Sequence, residues 1–236
     1  MMSPGEAARI RAITFDAAGT LLHPSPSVGA IYREVALAHG CERDAAALEA
    51  AFRAAFSAVS RDATVPDPED RERDFWRRVV RDAFAMVGGG PAAFGAFFED
   101  LWETFAQGSR WIVHSGAVDT LVALRERGYR LGVLSNWDAR LHRVLADTGL
   151  RRHFDHVAIS SESGSEKPDT GMFRLAERAH DATAAQMLHV GDSLKHDVAG
   201  ARAAGWAVLR VRHDNGPAAP GEIGHFAQLL DLLPGI

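Results

Sequence analysis

The chain has 236 residues, of which 47% are hydrophobic, so it can bury a substantial core as one domain or as one domain with a smaller insertion. Its net charge of -5 predicts no basic surface for nucleic acid, and its single cysteine, Cys41, excludes an internal disulfide and a zinc cluster of cysteines. No apolar signal-peptide core follows Met1, and no run of about 18 apolar residues predicts a membrane span. We therefore expect a cytoplasmic protein with a small-molecule partner, no nucleic acid and no membrane.

The first predicted element is a short buried strand that ends at a carboxylate. Residues 11–15 form a largely apolar run, Asp16 follows it, and Gly19-Thr20 then predicts a turn. A polar residue that ends a strand beside a glycine turn stands where α/β sheets bind their ligands. Asp16 is therefore the first candidate functional residue.

A long helical stretch follows this strand. Over residues 28–111, alanine, arginine and phenylalanine recur at helical spacing with little strand signal. The pattern predicts a bundle of about four helices, with loops at Asp67-Pro68 and at residues 88–91.

The second half of the chain alternates helices with strands. The predicted helices cover 116–127, 138–148, 172–180 and 195–204, and the predicted strands cover 129–134, 157–159, 187–190 and 206–211. This alternation predicts a doubly wound, Rossmann-like α/β core around a parallel sheet, which the first strand must also join. We therefore expect residues 1–23 and 113–236 to form the core, with residues 24–112 inserted as an all-helical cap.

Polar residues follow four of the predicted strands. They are Asp16, Ser135-Asn136, Lys167-Pro168 and Gly191-Asp192. Each one alone is most simply an ordinary polar loop residue, but the carboxyl ends of parallel strands share one edge, so the four together predict a site. His189 lies inside a predicted strand, and we interpret it as a core histidine.

These groups form a chemically coherent set. The Asp16 carboxylate can attack phosphorus to form an acyl phosphate, and a Mg²⁺ ion held by Asp16 and Asp192 would offset the repulsion between the two anions. Ser135 can donate to phosphoryl oxygens, and Lys167 supplies a positive charge there. Asp197 could hold the water of the metal ion, or Lys167, in place. The set predicts a magnesium-assisted hydrolase, most simply a phosphatase of a small phosphorylated or otherwise anionic metabolite.

These segments resemble the four motifs of the haloacid dehalogenase superfamily of hydrolases. The matching segments are Asp16-Ala17-Ala18-Gly19-Thr20, Ser135, Glu166-Lys167-Pro168 and the run from Gly191 to Asp197. The helical insertion resembles the cap of the subfamily that carries it after the first motif. Residues 135–141 further resemble the branch called haloacid dehalogenase-like hydrolase domain-containing protein 3.

The resemblance implies a role for each matching residue. It implies that the catalytic residues are Asp16, Ser135 and Lys167. It implies that the substrate-binding residues are Gly19, Thr20, Ser135, Asn136 and Lys167. It implies that the Mg²⁺ ligands are Asp16, Ala18, Asp192 and Asp197.

One position departs from the pattern of the family. Phosphatases of this superfamily usually carry a second aspartate two residues after the first, where it protonates the leaving oxygen and then activates water. Here that residue is Ala18, whose carbonyl could still bind Mg²⁺ but whose methyl group cannot transfer a proton. Acid–base help of this kind contributes about 10² to 10⁴ in rate. The proton donor would then come from elsewhere, such as His23, or the substrate would be an acyl phosphate that needs little protonation.

Three alternatives to a phosphatase differ in how well they fit the sequence. The 2-haloacid dehalogenases also lack the second aspartate and use no metal, but Asp192 would then add an unbalanced charge beside an anionic substrate. Phosphonoacetaldehyde hydrolases use a lysine of the cap, whereas the lysines of this chain are Lys167 and Lys195, both outside the predicted cap. A phosphate-binding protein with negligible turnover is the third alternative, although the otherwise complete set of motif residues argues against a degenerate site.

Overall fold

The structure of the chain is a computed structural model that describes residues 3–213 and 219–236. The strands are β1 (Ala12–Phe15), β2 (Leu22–Pro24), β3 (Trp111–Val113), β4 (Arg130–Ser135), β5 (His156–Ile159), β6 (Met187–Gly191), β7 (Ala207–Val211) and β8 (Glu222–Ile223). The helices are α1 (Pro4–Ala7), α2 (Val28–Ala38), α3 (Ala45–Ala58), α4 (Pro68–Met86), α5 (Phe94–Ala106), α6 (Ala117–Glu126), α7 (Arg140–Asp147), α8 (Ser160–Ser163), α9 (Thr170–His180), α10 (Ala199–Ala203) and α11 (Gln228–Leu232).

A six-stranded sheet in the order β5-β4-β1-β6-β7-β8 confirms the predicted α/β fold. Every pairing within it is parallel. All four residues of β1 are buried, as expected for a strand of a parallel sheet that is covered on both faces. The chain places β4 and β5 on one side of β1 and then crosses to β6 on the other, so β1 lies at the point where the strand order switches. Sheets of this kind bind ligands at the carboxyl ends of the strands beside that point.

Contacts within the chain group it into two compact units. The α/β unit contains the described residues of 1–23, 113–137 and 149–236, and the helical unit contains 24–112 and 138–148. The sheet and α9 of the α/β unit bury a cluster that includes Leu134, Phe173 and Trp206. The predicted division into a core and a cap stays a prediction, and the contact grouping differs from it in one segment, 138–148.

The four predicted helices of the helical unit are α2 to α5. Their apolar faces bury a cluster that includes Tyr32, Phe75 and Phe84, and the rings of Tyr32 and Phe84 stack with centroids 5.9 Å apart. The predicted interruption at Asp67-Pro68 is the end of the connection between α3 and α4, which covers residues 59–67. Pro68 is the first residue of α4, and the Asp67 side chain accepts a hydrogen bond from Asp70 N–H at 2.9 Å. Proline is tolerated at the start of a helix, where its missing N–H would have had no helical partner.

Within the helical unit, α7 contacts the segment 24–112 through Arg140 and Asp147. The Arg140 guanidinium lies 3.4 Å from the centroid of the Trp102 ring on α5, and Asp147 accepts a hydrogen bond from Gly108 N–H at 3.1 Å. The stacking of a cation on an indole and the ion pair of Arg140 with Asp138 fix the start of α7. These contacts explain why α7 groups with helices far from it in sequence.

The remaining predicted elements are confirmed to within a few residues. The predicted helix over 195–204 is divided into a π-helical turn, Leu194–Val198, and α10. The pair formed by β2 and β3, which makes a separate two-stranded sheet, was not predicted. In the described part of the chain, no helix combines the length and the apolar character that crossing a bilayer requires.

The close approach of α2 and α3 gives a first testable prediction. Gly29 is the second residue of α2, and a Cβ atom there would lie 2.2 Å from the Ala45 carbonyl oxygen. We expect Gly29→Ala to lower the free energy of unfolding by about 1–3 kcal/mol, because the helices must move apart. Gly95 is the matched control, since it is the second residue of α5 and a Cβ there meets no atom within 4 Å.

Gly95→Ala should leave the free energy of unfolding unchanged or raise it by up to about 1 kcal/mol, the difference in helix propensity. Chemical denaturation of both variants measures the two effects. Equal effects of the two substitutions would contradict the packing of α2 against α3 described above.

Candidate active site

Asp16 directly follows β1 at the carboxyl edge of the sheet. Its N–H donates to the Val190 carbonyl oxygen on β6 at 2.9 Å, which continues the pairing of the two strands. Because β1 also pairs with β4, residues that follow β4 and β6 lie at the same edge. The Asp16 side chain is mostly buried there.

The turn after Asp16 depends on a glycine. Gly19 has φ +80°, a left-handed conformation, and a Cβ atom there would lie 2.8 Å from Asp192 Oδ2. The Thr20 hydroxyl lies 3.4 Å from Asp192 Oδ1. The Gly-Thr pair of the first motif is therefore what allows the Asp192 carboxylate to lie against this turn.

Lys167 is buried and directs its ammonium group at two carboxylates. Its Nζ donates to Asp16 Oδ1 at 2.8 Å, to Asp197 Oδ1 at 2.5 Å and to the Leu134 carbonyl oxygen at 2.8 Å. Burial acts to lower the pKa of Lys167, but the charges of Asp16 and Asp197 outweigh it and raise the pKa above its usual value. Lys167 is therefore a cation whose ammonium group has three acceptors.

Asn136 holds the backbone of Lys167. Its Oδ1 accepts from Lys167 N–H at 2.7 Å, and its Nδ2 donates to the Lys167 carbonyl oxygen at 2.8 Å. Ser135, which directly precedes Asn136 in the chain, is the last residue of β4 and is buried. The substrate-binding roles of Ser135 and Asn136 stay predictions, and the clasp between Asn136 and Lys167 is a contact that the sequence did not indicate.

The Asp197 carboxylate is fully buried and accepts hydrogen bonds at both oxygens. Oδ1 accepts from Lys167 Nζ and lies 2.9 Å from His189 Nε2, and Oδ2 accepts from Ser193 N–H at 2.9 Å. Burial acts to raise the pKa of Asp197, but the Lys167 charge and the His189 contact outweigh it and hold the pKa well below its usual value. A Cβ atom at Gly191 would lie 2.3 Å from Asp197 Cγ, so Gly191 makes room for this carboxylate.

Three carboxylates meet at this edge, and together they suit a divalent cation. Oxygens of Asp16, Asp192 and Asp197 lie within 4.8 Å of one another. If all three are ionised beside the Lys167 ammonium, two negative charges remain unbalanced. Burial and the charges of Asp16 and Asp197 accordingly raise the pKa of Asp192 to about 6. A donor set of carboxylate oxygens with an excess of negative charge is the kind that Mg²⁺ prefers.

The predicted alternative proton donor, His23, belongs to a cluster of three histidines. Its ring centroid lies 4.5 Å from that of His114, which stacks on His213 with centroids 3.4 Å apart. His213 Nε2 lies 3.1 Å from the Thr20 carbonyl oxygen, so the cluster adjoins the turn of the first motif. Burial and the two neighbouring rings lower the pKa of His114 to about 4. The role of His23 as a proton donor stays a prediction.

Comparison with known proteins identifies the family. Residues 10–205 match the family model described as haloacid dehalogenase-like hydrolase. The human haloacid dehalogenase-like hydrolase domain-containing protein 3 is 38% identical over 202 residues, which cover 84% of this chain and 80% of the human protein. The chain therefore belongs to the haloacid dehalogenase-like family and is a hydrolase of that superfamily.

Two further relatives show the range of the similarity. The phosphoserine phosphatase of Thermus thermophilus is 34% identical over 151 residues, which cover 62% of this chain and 59% of that protein. The structure of L-2-haloacid dehalogenase from Xanthobacter autotrophicus superimposes with a TM-score of 0.74 at 20% identity, covering 96% of this chain and 99% of that one. The structural similarity shows that the two proteins share a fold.

The turn after Asp16 gives a second prediction. We expect Gly19→Ala to lower the free energy of unfolding through left-handed strain and through the contact with the Asp192 carboxylate. Gly40→Ala is the matched control, because Gly40 has φ +71° but a Cβ atom there meets nothing within 4 Å. Left-handed strain alone should cost about 1–2 kcal/mol in the control, and the Gly19 variant should lose at least about 1 kcal/mol more.

Chemical denaturation of the two variants provides the measurement. Equal losses would show that the Asp192 carboxylate moves aside freely, and that Gly19 does not fix its position.

Proposed function

We propose that this hydrolase is a magnesium-dependent phosphatase of a small phosphorylated metabolite, and that it acts through an aspartyl phosphate at Asp16. The observation that carries the proposal is the contact of the Asp16 carboxylate with the buried Lys167 ammonium, inside a group of three carboxylates. The similarity to the Thermus thermophilus phosphoserine phosphatase supports a small phosphorylated molecule as the substrate.

Asp16 and Asp192 are the carboxylates that we assign to direct metal binding, together with the Ala18 carbonyl oxygen. Both oxygens of Asp197 already accept hydrogen bonds from Lys167, His189 or Ser193, so we assign Asp197 to holding Lys167. When bound, Mg²⁺ would polarise the phosphoryl group and offset the two unbalanced negative charges of the site. This assignment removes Asp197 from the predicted Mg²⁺ ligands and keeps Asp16, Ala18 and Asp192.

In the first step, the attack on phosphorus, each residue of the site has a separate role. Asp16 Oδ1 is held by Lys167, which leaves Oδ2 as the oxygen that attacks phosphorus. The bond from phosphorus to the leaving oxygen breaks, and the leaving group departs with the electron pair. The Ser135 hydroxyl donates a hydrogen bond to a phosphoryl oxygen, and the positive charge of Lys167 stabilises the negative charge that develops there. The predicted binding role of Gly19 and Thr20 is not assigned to their N–H groups, which already donate to the carbonyl oxygens of Leu22 and Ala17. Water then attacks the phosphorus of the aspartyl phosphate, the bond from phosphorus to the Asp16 oxygen breaks, and inorganic phosphate leaves as the Asp16 carboxylate is restored.

The proton balance of this reaction is the point at which the chain differs from the family pattern. No acid stands at Ala18, so the leaving oxygen departs unprotonated unless another group supplies the proton. Substrates with good leaving groups, such as acyl phosphates, need the least help and should be hydrolysed fastest. The substrate class therefore narrows to phosphates whose leaving group is a weak base.

The direct test is the turnover of an Asp16→Asn variant. We expect it to lose at least about 10³-fold in kcat against acetyl phosphate and p-nitrophenyl phosphate in the presence of Mg²⁺, because an amide is a far poorer nucleophile. Asp231→Asn, which removes one negative charge at an exposed position, should retain the wild-type kcat. A malachite green assay of released phosphate measures both variants.

The same assay distinguishes the alternatives. Wild-type turnover should disappear with a chelator and return with Mg²⁺. Release of chloride from 2-chloropropionate without a metal ion would instead establish carbon chemistry. Tight binding of beryllofluoride without turnover of any substrate in the panel would establish a binding protein.

A gain of activity tests the missing proton donor. Ala18→Asp should raise kcat for an alkyl phosphate by about 10²- to 10⁴-fold and should raise kcat for acetyl phosphate much less, because only the alkoxide leaving group needs a proton. Ala18→Asn is the matched control, since it has nearly the same size and cannot transfer a proton. Steady-state kinetics on the two substrates measure the difference.

A similar response of both substrates to Ala18→Asp, or an equal gain with Ala18→Asn, would contradict this explanation. Either result would mean that the gain does not come from transfer of a proton by residue 18.

A further inference from the structure

His189 lies at the centre of the parallel sheet and is fully buried. It is on β6, directly beside Thr14 on β1 in the strand register. Its Nδ1 lies 2.8 Å from the Thr14 hydroxyl, and its Nε2 lies 2.9 Å from Asp197 Oδ1. The sequence suggested an ordinary core histidine, but both ring nitrogens have polar partners, one of which belongs to the candidate active site.

The two partners determine which ring nitrogen carries the hydrogen. The ionised Asp197 carboxylate can only accept, so His189 Nε2 donates to Oδ1. In a neutral ring Nδ1 then accepts a hydrogen bond, and the Thr14 hydroxyl donates it. The Phe173 and His189 rings form a T-shaped contact, with centroids 5.7 Å apart and planes at 84°. The orientation and the tautomer of the imidazole are therefore both fixed.

A single oxygen connects this histidine to the candidate nucleophile. Asp197 Oδ1 accepts from His189 Nε2 and from Lys167 Nζ, and the same Nζ donates to Asp16 Oδ1 at 2.8 Å. Asp197 Oδ1 is thus one of the three acceptors that fix the position of the Lys167 ammonium, beside Asp16 Oδ1 and the Leu134 carbonyl oxygen. Ser193 N–H holds the other oxygen, so without the His189 contact Oδ1 would have Lys167 as its partner, and the carboxylate and the ammonium group could shift together about the Ser193 bond.

We propose that His189 is a positioning residue of the active site: with Thr14 it fixes the Asp197 carboxylate, and through Asp197 it keeps the Lys167 ammonium on Asp16. The consequence for the reaction rests on the proposed role of Asp16 as the nucleophile. The effect of His189 on the position of Lys167 does not depend on that role of Asp16, because it concerns the hydrogen bonds of the protein without substrate. The two parts can therefore be tested separately.

The first test observes the Lys167 ammonium group itself, which is possible because the chain has few lysines. The chain has two lysines, buried Lys167 and exposed Lys195, so protein labelled with ¹⁵N-lysine carries two Nζ groups for nuclear magnetic resonance. We expect a slowly exchanging Nζ signal from Lys167. In His189→Leu this signal should shift, and its hydrogens should exchange at least about tenfold faster, because one anchor of its acceptor is lost. The Lys195 signal is the internal reference.

Two conservative variants separate positioning from packing. His189→Gln places an amide N–H near the position of Nε2 and should restore the wild-type Lys167 signal, whereas His189→Leu fills the space without a donor. Thr14→Val removes the hydroxyl that orients the ring and should change the signal in the same direction as His189→Leu. If His189→Leu does not fold, Thr14→Val and His189→Gln still decide the question.

Kinetics provide the second test. His189→Leu should lower kcat for acetyl phosphate by about 10- to 100-fold and change KM by less than about threefold, because the loss affects the nucleophile and its charge partner. His189→Gln should recover most of kcat. An unchanged Lys167 signal in folded His189→Leu or Thr14→Val would overturn the proposal, and so would a shifted signal with an unchanged kcat.

Failure of the proposed function gives a different pattern. In that case no variant and no wild-type protein turns over a phosphate, while the Lys167 signal still responds to His189→Leu. That pattern would support the positioning of Lys167 by His189 and would remove only its consequence for phosphoryl transfer.

Discussion

One buried ammonium group, Lys167 Nζ, holds the candidate site together. It lies between Asp16 and Asp197 and donates to both. A buried charge is strongly destabilising without a partner, so the lysine and the two carboxylates depend on one another. Asp192 adds a third carboxylate and leaves an excess of negative charge, which is the physical reason that a divalent cation suits this edge of the sheet. Asn136 clasps the lysine backbone, and Gly191 makes room for Asp197.

Much of this arrangement could be predicted from the sequence. Strands of a parallel sheet end at one edge, so polar residues after short apolar runs converge even when they are far apart, as Asp16 and Lys167 are at a separation of 151 residues. Apolar periodicity also predicted β1, β4, β5, β6 and β7, and the helices α6, α7 and α9, to within a few residues, because buried faces repeat at a fixed spacing along the chain. The short strand β8 at the edge of the sheet was not predicted. The fold, and the convergence of Asp16, Lys167 and Asp192 at one edge of the sheet, therefore followed from local patterns and one rule of topology.

The parts that could not be predicted depend on side-chain contacts. His189 looked like a core histidine, because a sequence does not show that Thr14 and Asp197 occupy the space beside its ring. Helix α7 groups with the helical unit through the stacking of Arg140 on Trp102, a contact between long side chains that periodicity does not encode. Asp67-Pro68 predicted an interruption of the helices but not its extent, because the sequence did not indicate that the Asp67 side chain caps α4 through Asp70 N–H.

The site holds a complete set of partners for an attacking carboxylate but has a methyl group at Ala18, where the family usually has its proton donor. The central claim is therefore the covalent step at Asp16 rather than fast turnover of every phosphate ester. The most direct measurement is mass spectrometry of peptides from protein quenched in acid during turnover of acetyl phosphate with Mg²⁺. A phosphoryl group on the peptide that contains Asp16, absent from Asp16→Asn, is the predicted result. A phosphoryl group on a different residue, or rapid turnover with no labelled peptide at any quench time, would contradict it.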